Sequence, residues 1–97
     1  MDKGRIDAAI EILDDVLAGF RNDPDGPFDR EFISGMLHDP IEDVGEVLKP
    51  GTPAMRAWDL YMMAWNDDDL LARDQSGYKR RFIQVATELH DRLVALK

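Results

Sequence analysis

The sequence predicts an all-α protein, a compact four- or five-helix bundle, on three observations. Apolar residues recur at helical spacing near both ends of the chain, and cap-plus-proline signals open further helices between them. With 97 residues, 44% hydrophobic and 33% charged, the chain has enough apolar surface for one core and no length for a second domain. Residues 1–97 therefore read as a single helical domain, with helices at about 5–20, 28–38, 40–48, 53–65 and 78–96.

In the first helix Ile6, Ile10, Leu13, Leu17 and Phe20 form one stripe, while Asp7, Glu11 and Asp14 fall on another face. The run RNDPDGPFD that follows is turn chemistry throughout. A short second helix places Phe32, Ile33, Met36 and Leu37 inward, with Gly35 weakening it. Asp39-Pro40 is expected to end that helix and start the next, Asp39 as N-cap and Pro40 at the first helical position, with Glu42 and Asp43 near the positive end of the dipole.

Lys49-Pro50-Gly51 stops the chain's third helix, and Thr52-Pro53 opens a fourth through Trp65. That segment carries only Arg56 and Asp59 as charges, so it belongs at the centre of the bundle or at an interface. Asn66 to Asp69 supply a polar break or a cap for a short turn through Arg73, and Gln75-Ser76-Gly77 mark a second break. Tyr78, Phe82, Val85, Leu89, Leu93 and Leu96 then line one face of the last helix.

The absence of cysteine excludes disulfides, thiol nucleophiles and cysteine-bound metal centres. No apolar run approaches the roughly 20 residues that span a bilayer, and the first residues carry acids where a signal peptide needs an apolar run. A cytoplasmic, membrane-free location is the expectation. The net charge of -8 repels nucleic acid and favours basic proteins. Aspartate outnumbers glutamate 15 to 5, which places much of the acid at helix ends and loops, because aspartate is a poor helix former.

The stretch Leu37-His38-Asp39-Pro40-Ile41-Glu42-Asp43 resembles the metal-binding segment of HD-domain phosphohydrolases, particularly the alarmone-hydrolase branch, with a second Leu-His-Asp at 89–91. The resemblance implies a divalent metal on His38, Asp39, Glu42 and Asp43, helped by His90 or Asp91. No histidine precedes His38 to supply the ligand that an earlier helix contributes in that family, and Pro40 follows the aspartate directly. Asp23-Pro24-Asp25-Gly26 resembles the core of an EF-hand loop, yet Arg21 and Phe32 stand where its anchoring acidic ligands belong. No metal, cofactor or catalytic residue is therefore expected. Lys79-Arg80-Arg81 with Arg73 form the basic cluster, and adjacent residues spread around a helix.

The expectation for function is a non-enzymatic, acidic protein-binding domain that inhibits or regulates a basic nucleic-acid-handling protein, in the manner of immunity, phage anti-restriction or anti-CRISPR proteins. Asp14, Asp15, Asp67, Asp68 and Asp69 would supply charge. Met63 and Trp65 would supply apolar contact, because methionine and tryptophan make adaptable anchors and the apolar helix cannot turn every such side chain inward. The alternatives are the HD-like phosphohydrolase or an inactive relative of it, and a homodimer whose seam is the Met55-to-Trp65 helix.

Overall fold

Helix starts are set by side chains that take the unpaired amides of the first turn. The computed structural model describes residues 3–97 as α1 (Lys3–Asn22), α2 (Arg30–Val47), α3 (Pro53–Trp65), α4 (Asp68–Arg73) and α5 (Gln75–Val94). Asp29 accepts from the Phe32 amide at 3.2 Å, Thr52 from Met55 at 3.2 Å, Asp67 from Leu70 at 3.1 Å and Asp74 from Gly77 at 2.9 Å. Part of the aspartate excess is thus capping chemistry, as the composition suggests.

Ion pairs and hydrogen bonds fix the helix directions. Arg5 near the start of α1 reaches Glu46 near the end of α2 at 3.4 Å, so the two run antiparallel across the 23–29 loop. Asp7 meets Lys97 at 2.9 Å and Asp14 meets His90 at 3.3 Å, which sets α5 antiparallel to α1. The Tyr78 hydroxyl donates to the Trp65 carbonyl at 2.6 Å, and the rings of Tyr61 and Phe82 meet at 5.7 Å, so α3 and α5 are antiparallel as well. The radius of gyration, 13.0 Å, matches the about 13 Å of a single compact domain of this length.

Two boundaries differ from the sequence reading. The segments at 28–38 and 40–48 are one helix, α2, with Pro40 inside it, and the N-cap is Asp29, not Asp39. Ile33, Leu37, Ile41 and Val44 are all buried along one stripe, and only an unbroken helix lays both halves of that stripe on α1. Burial of the stripe outweighs a penalty of about 3 kcal/mol for an internal proline. The last helix starts at Gln75 and ends at Val94, so Gln75-Ser76-Gly77 form its first turn and the break falls at Asp74.

The 23–29 loop is tied to α5. Lys79 donates through Nζ to the carbonyls of Pro24 and Gly26 at 2.8 and 2.9 Å, and Gln75 donates to the Phe28 carbonyl at 3.1 Å. Phe28 is buried between Phe20, Tyr78 and Phe82. Between α2 and α3 the Trp58 indole donates to the Ile41 carbonyl at 2.9 Å, and Gly45 leaves room for the ring: a β-carbon there would lie 2.4 Å from the indole carbons.

Gly45→Ala therefore forces Trp58 away and lowers stability by about 1–3 kcal/mol, read as a fall in melting temperature. Gly19→Ala, in a helix and with nothing within 4 Å of its added carbon, raises stability by about 0.5–1 kcal/mol. Equal melting temperatures for Gly45→Ala and the parent would contradict the close approach.

Candidate functional site

A helix buries one stripe, and whatever apolar side chain lies beside that stripe is left over for other use. On α2 the leftovers are Phe32, 68% exposed, and Met36, 36% exposed, one turn apart on the flank of Ile33 and Leu37. The sequence reading placed both inward. The structure puts them at a groove of about 240 Å³ between α1 and α2, floored by Val16, Gly19 and Ile33 and closed at one end by Gly26 and Pro27 of the loop.

The charges around this groove have one sign. Asp15 of α1, Asp23 of the loop and Asp29 at the start of α2 line it, and no lysine or arginine does. Asp15 and Asp23 have no ion-pair partner among the described residues. Elsewhere several cations are engaged: Arg30 with Asp68, Arg92 with Glu88 at 2.9 Å, Lys97 with Asp7, and Lys79 with the loop carbonyls. The hydrogen bond that Arg30 donates to the Asp68 carboxylate raises the Arg30 pKa further above its already high value.

The expected site residues do not come together on one face. Asp14 turns to His90, whose other ring nitrogen lies 3.1 Å from Asp91, while its neighbour Asp15 faces the groove. Asp67 is occupied as the α4 cap and Asp68 holds Arg30; Asp69 is exposed. Met63 is 66% exposed beside Leu60 on α3. Trp65 is half-buried, stacked on Tyr61 at 6.3 Å and tilted against Phe82 at 5.5 Å, so its ring is committed to the core.

The HD-like residues are dispersed too. His38 meets Glu42 at 3.5 Å beside a cleft of about 280 Å³ between α2 and α3, whereas His90 sits between α1 and α5. Among the described residues no three histidine, aspartate or glutamate side chains are grouped to hold a metal ion. A cavity of about 510 Å³ lies between the loop and the first turns of α5; of the two cations that line it, Lys79 is already held by the loop carbonyls, and Arg80 stands beside it. Among the described residues no helix is long and apolar enough to cross a membrane.

The sequence matches no protein-family model, and no curated protein or solved structure is significantly similar to it. The site stands on its own geometry.

Tyr61, at the α2–α3 cleft, is buried, and that desolvation, with the nearby Tyr78, pushes its pKa well above the ordinary tyrosine value. The unfolded chain then loses the phenol proton first. The stability this residue contributes is complete below about pH 10 and is lost as pH rises beyond it. No hydrogen bond joins the Tyr61 hydroxyl to a described residue, so Tyr61→Phe folds normally at neutral pH. Its melting temperature should fall less than the parent's between about pH 9.5 and 11.5; parallel curves would contradict the burial of the ring.

Proposed function

We propose that this chain is an acidic, non-enzymatic binding domain that docks onto a basic protein and occupies its positively charged surface, as an inhibitor or regulator of a nucleic-acid-handling partner. The observation that carries the reading is the α1–α2 groove, where exposed apolar side chains are bordered by Asp15, Asp23 and Asp29 and by no cation. A contact of this composition combines the two terms that specific association needs: apolar area at the centre for affinity, and charge around it for steering and partner choice.

The net charge of -8 acts at longer range, raising the encounter rate with a basic surface and keeping free nucleic acid away. Relative to the sequence expectation Asp15 is kept, Asp23 and Asp29 take the place of Asp14, Asp67, Asp68 and Asp69 as the bordering charges, and Phe32 and Met36 take the place of Trp65 as apolar anchors. Met63 and Leu60 remain a second exposed apolar pair, on α3.

The test is affinity capture from a lysate of the native host at low and at high salt, followed by measurement with the purified captured protein. A basic protein is expected, released by high salt, and its association rate should drop about tenfold or more for Asp15→Lys/Asp23→Lys. Unchanged association for that double variant would contradict the reading.

A further inference from the structure

Resting on the reading of an acidic binding domain, we propose that the α1–α2 groove receives an amphipathic helix of the basic partner. Its apolar side chains, one turn apart, seat over Phe32 and Met36, and its lysines or arginines reach Asp15 and Asp23.

Three features of the groove select a helix. Phe32 and Met36 are four residues apart on α2, so their centres are offset along the axis by about 6 Å, the offset that i and i+4 anchors of a second helix present. Gly19 forms the floor opposite them with nothing within 4 Å above it, so another backbone can approach closely. Both walls are helices, whose backbone groups are spent on their own hydrogen bonds; an extended peptide would find no amides to pair with, whereas a helix arrives with its own satisfied.

Charge selects the partner. The groove is lined by carboxylates and no cation, so a second copy would bring Asp15 and Asp23 against like charges, on a chain already at -8. An anionic membrane surface is repelled on the same ground. A lysine- or arginine-flanked helix is attracted by Asp15, Asp23 and Asp29 and meets no cation in the lining, and Met36 adapts to the side chains it meets.

The probe is a synthetic amphipathic peptide of about 15 residues, leucines at i, i+4 and i+7 and lysines on the flanks, titrated into the isotope-labelled full chain and followed by amide NMR shifts. Controls are a peptide of the same composition with scrambled leucines and one with glutamates for lysines. The patterned basic peptide should shift Gly19, Phe32 and Met36 together, gain helicity, and bind about tenfold or more tightly than the scrambled one. Gly19→Trp, which fills open space, should abolish binding while leaving the helical signal intact, and Phe32→Ser gives the same reading through the other wall.

Equal binding of the scrambled peptide, with shifts spread over the acidic surface, would overturn the helix-in-groove inference and leave the acidic-binder reading standing. Failure of both basic peptides to bind would contradict both. Groove signals that broaden with protein concentration, without peptide and with a rise in mass, would assign the groove to a second copy and overturn the inference.

Discussion

The ring of Phe82, fully buried on α5, is where the separate parts of the chain are held against one another. It meets Phe20 of α1 at 5.9 Å, Phe28 of the loop at 5.7 Å, and Tyr61 and Trp65 of α3 at 5.7 and 5.5 Å. Aromatic pairs at these separations stabilise beyond the area they bury, and here they also fix geometry. Phe28 draws the loop down onto α5, where Lys79 and Gln75 donate to its carbonyls, and the loop joins the end of α1 to the start of α2. The groove lies beside this junction, where Gly19 is uncovered and Phe32 is exposed.

Much of this was legible in the residues. The stripes of α1 and α5 are long and regular enough to identify without tertiary information, and Thr52-Pro53 marks the start of α3 because both residues satisfy the same local geometry. Pro40 was misleading for a physical reason: a local rule gives the cost of proline in a helix, but not the gain from burying Ile33, Leu37, Ile41 and Val44 together on α1.

The same boundary hid the site. In a helix that ends at His38, the wide set Phe32, Ile33, Met36 and Leu37 makes a consistent inward face. In the continuous helix the core stripe is narrower, running through positions 33, 37, 41 and 44, and Phe32 and Met36 fall outside it. The spacing of Ile41 and Val44 from Leu37 was the available signal. Trp65 shows the converse: its position on an apolar helix could not reveal that Phe82, seventeen residues on, would take its ring.

The account depends on Phe32 contributing nothing to folding while the adjacent Ile33 contributes much, since an apolar side chain outside the core is what leaves the groove free to bind. Equilibrium unfolding of Phe32→Ser and Ile33→Ala measures this most directly. Phe32→Ser should change stability by no more than about 0.5 kcal/mol and Ile33→Ala should cost about 2–4 kcal/mol. Comparable losses for the two would place Phe32 in the core and remove the basis for the groove.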